Sequence, residues 1–201
     1  MMNKKFFTGL SLFGALCLSP FEAKAVPDPV FNPILGNIQN SLPRGMVMRL
    51  PSKLRLYGYQ NRRIYVYPKI QRSDTDELAI ALHSEPDCQA NYCLLGFLTV
   101  EKVIDPYFKA LITEEIGSWK PYKTNRNCGV IKRKNVSLVN SIQGILVEHD
   151  RCGNGSLNRS SSFIWKQDGY FFTVRIGTHK LNSIVDIARS MASEPPIRSS
   201  L

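Results

Sequence analysis

The chain has 201 residues, 43% of them hydrophobic and 21% charged, a composition that excludes a disordered chain and fits a globular protein of one domain. Its 26 basic and 16 acidic residues give a net charge of +10, which favours anionic partners. No apolar run after residue 25 has the length of a membrane-spanning helix.

Residues 1–25 have the pattern of a cleaved signal peptide. Lys4 and Lys5 precede an uncharged apolar run over 6–18, and Ala23-Lys24-Ala25 matches the small-x-small pattern of a signal peptidase site. We therefore expect a mature chain of about 176 residues that begins at Val26 and works in the periplasm or outside the cell. Without the three lysines and one glutamate of the signal, 23 basic and 15 acidic residues remain, a net charge of +8.

Residues 26–45 predict an extended, proline-containing lead-in with one short helix over 33–42. Runs of apolar and β-branched residues then predict strands at 46–50, 54–59, 64–70, 77–83 and 94–100. Apolar residues recur at helical spacing over 101–116, where Pro106 lies in the first turn. The sequence of the first half of the domain therefore predicts several strands followed by a helix.

The second half predicts strands at 130–131, 136–139, 142–148, 163–165 and 170–176. Asp168-Gly169 between the last two is among the strongest hairpin signals that a sequence contains. A helix over 183–192 follows, and residues 195–201 are expected to form a flexible tail. Together the elements predict a single α+β domain over 46–194: a mostly antiparallel sheet of about six to eight strands, with two main helices packed on one face.

Four cysteines remain after the signal: Cys88, Cys93, Cys128 and Cys152. An even count in an exported chain indicates disulfides, and three pairings are possible. We favour Cys88–Cys93, which brackets a polar, turn-like segment, and Cys128–Cys152, which closes a loop of about 25 residues worth roughly 3 kcal/mol. The spacings lack the paired C-x2-C pattern of zinc sites, so neither a metal nor another cofactor is expected.

Aromatic and basic residues alternate with apolar ones along both strands of the first predicted hairpin: Arg55, Tyr57 and Tyr59, then Arg63, Tyr65 and Tyr67. If the connecting loop has an odd number of residues, Tyr59 opposes Tyr65 and Tyr57 opposes Tyr67, which puts all of them on one face. A two-residue loop would disperse them. Such a platform can stack on sugar rings or hold an anionic polymer. The alternative is that the tyrosines are ordinary half-buried sheet residues.

Catalytic patterns are weak. His83, His149 and His179 stand far apart and form no metal-binding motif. Glu114 and Glu115 are adjacent on a predicted helix, so their side chains diverge by about 100° and cannot serve one substrate together. No serine lies in a G-x-S-x-G motif. These observations favour a non-catalytic protein over an enzyme.

Three motifs resemble a family of uncharacterised exported proteins of cyanobacteria over most of the mature chain. Besides the paired cysteines they are Met46-Val47-Met48-Arg49-Leu50-Pro51-Ser52, Trp165-Lys166-Gln167-Asp168-Gly169-Tyr170 and Ile187-Ala188-Arg189-Ser190-Met191-Ala192. The tryptophan hairpin with its following helix is also similar to the closing unit of bacterial periplasmic domains of unknown function. The resemblance implies an exported protein, and because that family has no assigned activity it implies no catalytic residues.

The sequence as a whole predicts an exported cell-envelope protein that binds, or assembles on, an anionic polysaccharide or the envelope surface, with no nucleic-acid partner. Two alternatives stay open: an envelope hydrolase whose carboxylates are assembled by the fold, and a carrier of an apolar ligand. A deep cleft with convergent ionisable groups would favour the hydrolase, a large dry cavity the carrier, and a basic-aromatic sheet face the binding protein.

Overall fold

The computed structural model describes residues 26–57, 62–88, 90–103, 129–150, 160–177 and 181–200. They form an α+β fold around one seven-stranded antiparallel sheet, which confirms the predicted fold class at this level. In spatial order its strands are β4 (Tyr67–Ser73), β5 (Glu77–His83), β6 (Leu94–Glu101), β10 (Tyr170–Ile176), β9 (Ser161–Gln167), β8 (Gln143–Asp150) and β7 (Gly129–Ser137).

Two short antiparallel ribbons accompany the large sheet. In one, β2 (Leu56–Tyr57) pairs with β3 (Arg63–Ile64); in the other, β1 (Val47–Met48) pairs with β11 (Ile197–Arg198). The second ribbon lies in the segment predicted to be a flexible tail. Ile197 there is only 7% exposed and joins the hydrophobic core, and the Ser200 N–H donates to the carbonyl of Gln39, so burial and hydrogen bonds attach this segment to the fold.

The strand predicted over 64–70 is divided in two. The chain leaves the small ribbon after Ile64, passes Tyr65 and Val66 without ladder pairing, and enters the large sheet at Tyr67. Pro68 is tolerated there because β4 is an edge strand, where a missing N–H removes no ladder bond on the open side.

The pieces predicted at 130–131 and 136–139 are instead one continuous strand, β7. The charged run Lys132-Arg133-Lys134 looked like an interruption in the sequence. It is compatible with a strand here because β7 is the other edge of the sheet, where charged side chains reach solvent and discourage pairing with further strands.

Four helical segments have described bounds: a 3-10 helix (Pro29–Ile34), α1 (Leu35–Ser41), a single 3-10 turn (Asn91–Cys93) and α2 (Leu181–Ser193). The lead-in is therefore helical from Pro29 to Ser41, and Phe31 and Ile38 within it are fully buried. The helix predicted over 101–116 lies outside the described residues except at its start, where Glu101 ends β6. Within the described ranges, no helix has both the length and the apolarity needed to cross a membrane.

One hydrophobic cluster contains side chains from the sheet and from the helices. Because strand side chains alternate between faces, every second residue of the central strands joins it. Its members include Leu78, Ile80, Leu82, Leu98, Val100, Phe163, Trp165, Phe172 and Val174 of the sheet, and Ile184, Ile187, Ala188 and Met191 of α2. The sheet and α2 therefore share one core.

Trp165 lies in this core, as predicted. It is 2% exposed, and its ring stacks on Phe172 with centroids 5.3 Å apart. The indole Nε1 donates a hydrogen bond to Gln167 Oε1 at 3.1 Å, so the ring's polar atom is satisfied despite its burial.

The predicted hairpin turn at Asp168-Gly169 is confirmed. Gln167 pairs directly with Tyr170, which leaves a two-residue loop. Both loop residues have positive φ, 53° at Asp168 and 84° at Gly169. Aspartate and glycine tolerate this backbone best, and the resulting turn matches the twist of the flanking strands.

Candidate functional site

The first hairpin has a different register from the one that the platform required. Tyr57 pairs with Arg63 and Leu56 with Ile64, so the pairing is displaced by two residues on each strand relative to the predicted Tyr59–Tyr65 pair. Tyr67 pairs with His83 in the large sheet, so the predicted Tyr57–Tyr67 pair is wrong. Tyr59 lies outside the described residues. The flat four-tyrosine platform is therefore not formed as predicted.

Three of the six predicted residues nevertheless line one concave surface, which we call the tyrosine groove. Its volume is about 350 Å³, and it is lined by Arg63, Tyr65 and Tyr67 together with Asp28, Pro29, Val30, Leu54, Ile64 and Val66. Tyr65 is 76% exposed and Tyr67 is 40% exposed. Rings this exposed contribute little to folding, so they are available to contact a ligand.

One wall of the groove comes from the lead-in, through Asp28, Pro29 and Val30. Asp28 Oδ1 accepts the N–H of Val30 at 3.1 Å, and Asp28 Oδ2 accepts the N–H of Leu54 at 2.9 Å. The Asp28 N–H in turn donates to the carbonyl of Pro51 at 2.8 Å. These bonds hold the start of the 3-10 helix against the segment that leads into β2. Sequence reasoning missed this wall, although Asp28-Pro29 is a typical helix start.

Basic residues recur along the chain segments that line the tyrosine groove. Arg63 in its lining is exposed, as are four neighbours along the chain: Lys53, Arg55, Arg62 and Lys69. The one carboxylate of the lining, Asp28, has both oxygens engaged by backbone N–H groups. The local excess of positive charge therefore favours an anionic ligand at this surface.

The loop between β5 and β6 carries the first predicted disulfide. Cys88 and Cys93 are joined, with their Cα atoms 6.3 Å apart. His83 Nδ1 lies 3.9 Å from Cys93 Sγ, and burial, followed by the charge of Lys69, lowers the pKa of His83. Both effects favour the neutral imidazole beside the disulfide. Cys128 and Cys152 lie outside the described residues, so their pairing stays a prediction.

The described ranges contain no group of three or more histidine, cysteine, aspartate or glutamate side chains that can hold a metal ion. Of the other candidates weighed from the sequence, Glu114, Glu115 and His179 lie outside the described residues. The tyrosine groove is thus the place where the structure brings sequence-predicted residues together.

Comparisons with known proteins give no further assignment. No protein-family model, no curated protein and no solved structure matches this chain.

Proposed function

We propose that this protein is a non-catalytic binding protein of the cell envelope, and that its tyrosine groove binds an acidic polysaccharide. One observation carries the proposal: two exposed tyrosines and an exposed arginine, Tyr65, Tyr67 and Arg63, line the same groove. Aromatic rings stack on the apolar faces of sugars, while a guanidinium pairs with carboxylate or sulfate groups. Both kinds of contact are needed to hold an acidic sugar chain.

The strong positive charge of the chain supports an anionic ligand over a neutral one. Lys53, Arg55, Arg62 and Lys69 extend the basic surface beyond the groove itself. Exposed charges attract a polyanion over about 8 Å at physiological ionic strength, and added salt screens this attraction. Binding that depends on these residues must therefore weaken as salt rises.

We propose in addition that the protein is exported from the cytoplasm. The pattern of residues 1–25 supports cleavage before Val26, and a disulfide between Cys88 and Cys93 suits an oxidising compartment. The resemblance to exported cyanobacterial proteins points the same way. N-terminal sequencing of the protein from its own cells tests this part: a start at Val26 supports export, and a retained Met1 contradicts it.

We also propose that helices cover one face of the large sheet. The support is that Ile38 of α1 and Ile187 of α2 belong to one hydrophobic cluster with Ile80 and Trp165 of the sheet. The other main helix of the prediction, over 101–116, lies outside the described residues.

The experiment compares binding of polygalacturonate with binding of neutral dextran by the chain that begins at Val26. We expect binding of the acidic polymer alone, with an affinity that falls as the salt concentration rises from about 0.05 to about 0.5 M. Changing Tyr65 and Tyr67 together to alanine should weaken binding by about tenfold or more, since each stacked ring contributes about 0.5–1.5 kcal/mol.

Tyr92→Ala is the matched control. Tyr92 is 71% exposed but lines a different concave surface, in the disulfide loop, and is not among the lining residues of the tyrosine groove. Binding and melting temperature of this variant should both stay at the wild-type level. Failure of the wild-type chain to bind any acidic polysaccharide, or an equal loss of binding in the Tyr92 variant, contradicts the proposal.

A second function is favoured by one observation. Glu77 and Glu101 are directly opposite in the β5–β6 ladder, so two carboxylates share one sheet face as an envelope hydrolase would require. Release of reducing ends from polygalacturonate, abolished by Glu101→Gln, would establish hydrolysis in place of simple binding.

A further inference from the structure

A second concave surface, which we call the threonine cleft, lies across β4, β5, β6 and β10. Its volume is about 330 Å³, at the small end of ordinary ligand pockets, which span about 300–1,000 Å³. Among the described residues, its lining contains two cations, Arg72 and Arg175, and two anions, Glu77 and Glu101. None of these residues belongs to the tyrosine groove.

The strand register arranges these groups in three rows. Glu77 is opposite Glu101 at one end, and Arg175 is opposite Phe97 at the other. Thr99 is opposite Thr173 between them. The two ends are four residues apart on β6, roughly 13 Å of strand, and long side chains shorten this span from both sides. The cleft is therefore acidic at one end, hydroxyl-lined in the middle and basic at the other end.

Thr173 is the residue that points to a ligand. It is a polar residue in the cleft lining and is only 4% exposed. Within the described part of the chain, its hydroxyl makes no hydrogen bond. A buried hydroxyl without a partner costs free energy, so a ligand atom that pairs with it gains the full value of that bond.

The two ends of the cleft are held by neighbouring side chains. At the acidic end, Arg72 Nη1 lies 2.9 Å from Glu77 Oε2, and Thr99 Oγ1 donates to Glu101 Oε1 at 3.3 Å. At the basic end, Arg175 Nε donates to Ser160 Oγ at 3.3 Å. Carboxylate oxygens accept hydrogen bonds, which suits the hydroxyl groups of a ligand.

We infer that the threonine cleft binds one sugar residue that carries a carboxylate. Ring hydroxyls donate to Glu77 and Glu101, the hydroxyl of Thr173 bonds a ring substituent, and the sugar carboxylate pairs with Arg175. The ring of Phe97 beside Arg175 offers an apolar face for the sugar's C–H groups. The cleft is large enough for one sugar residue of the chain.

The inference deepens the proposed function and rests on it in one respect: the sugar is taken as part of the acidic chain held by the tyrosine groove. The link between the two sites is the edge strand. Tyr67, Lys69 and Arg72 pair with His83, Ala81 and Ala79, alternate residues of β5, so these three β4 residues share one sheet face. They form a line of aromatic and basic side chains from the groove to the cleft.

The test uses two sugars that differ in one group, galacturonate and galactose, titrated against the chain from Val26 and followed by NMR. Wild type should prefer galacturonate by about tenfold or more, the usual contribution of a hydrogen bond to a charged group. Arg175→Gln should remove this preference while leaving the affinity for galactose within about twofold. Lys166→Gln, a change of the same charge at an exposed residue of β9, should preserve it.

Thr173→Val separates a ligand contact from a structural role. The variant keeps the shape of the side chain and removes a hydroxyl that has no partner among the described residues, so its melting temperature should not fall. Its affinity for galacturonate should fall by about fivefold, the value of one hydrogen bond. Unchanged affinity in this variant overturns the inference.

Three further results also overturn it: no galacturonate binding by wild type, equal affinity for the two sugars, or binding of free glutamate in place of either sugar. Binding of polygalacturonate by the variant in which Tyr65 and Tyr67 are alanine tests the tyrosine groove independently of the cleft. If the cleft inference fails, the proposed function can still stand. Binding of galacturonate without binding of polygalacturonate would contradict the proposed function and leave the cleft inference standing.

Discussion

Arg49 connects three distant parts of the chain. Its side chain is 9% exposed, and Nη2 lies 2.8 Å from Asp168 Oδ2 in the hairpin turn. Nη1 donates to the carbonyls of Ala192 and Glu194 at the end of α2. A guanidinium suits this position because its planar fork satisfies several acceptors at once. The burial of one cation thereby joins the segment around β1 to the closing hairpin and helix.

Removing this guanidinium should destabilise the protein. Arg49→Ala removes the donor to the Glu194 carbonyl and to the Asp168 carboxylate, so we expect the free energy of unfolding to fall by about 2–3 kcal/mol. Arg189→Ala is the matched control, because its ion pair with Asp186 is exposed on both sides and worth about 0–1 kcal/mol. Urea denaturation of both variants measures the difference. Equal losses would show that the contacts of Arg49 contribute no more than a surface pair.

At the scale of elements, backbone conformation decides where a glycine is required. Gly169 has a φ of 84°, whereas Gly36 in α1 has an ordinary helical backbone, and an added Cβ would meet nothing within 4 Å at either residue. Steric space therefore does not distinguish the two glycines. The sign of φ does, because a left-handed backbone is costly for any residue with a Cβ.

The same substitution at these two glycines should have opposite effects. Gly169→Ala should lower the free energy of unfolding by about 1–2 kcal/mol, because alanine is strained at positive φ. Gly36→Ala should raise it by about 0.5 kcal/mol, because alanine is the better helix former. Thermal melts of the two variants give the comparison. Stabilisation by Gly169→Ala would contradict the two-residue turn.

For the molecule as a whole, the number of disulfide-bonded cysteines tests the proposed export to an oxidising compartment. The Cys88–Cys93 disulfide closes a short loop, for which the chain-entropy model gives about 2 kcal/mol. The chain from Val26, alkylated without reductant, should take up no label, and after reduction it should take up four, one for each cysteine. Two labels on the unreduced chain would contradict the predicted Cys128–Cys152 pair, and four would contradict both pairs. Intact-mass measurement counts the labels.

The sequence by itself determined the features whose cause is local. The Asp168-Gly169 turn, the burial of Trp165 and the helix that became α2 were predicted because turn chemistry and side-chain period act over a few neighbouring residues. The division of the predicted 64–70 strand and the continuous β7 were not, because strand ends depend on which strands become neighbours.

Only the tertiary structure decided the sites. Tyr65 and Tyr67 share a groove because the lead-in around Asp28 docks beside them, and Glu77, Thr173 and Arg175 share a cleft because β5, β6 and β10 are adjacent in the sheet. Local alternation relates Tyr65 to Tyr67, but Asp28 joins them from a distant part of the sequence, and Glu77 is likewise distant from Thr173 and Arg175. Their meeting depends on strand order and register, which the packing of the whole core selects.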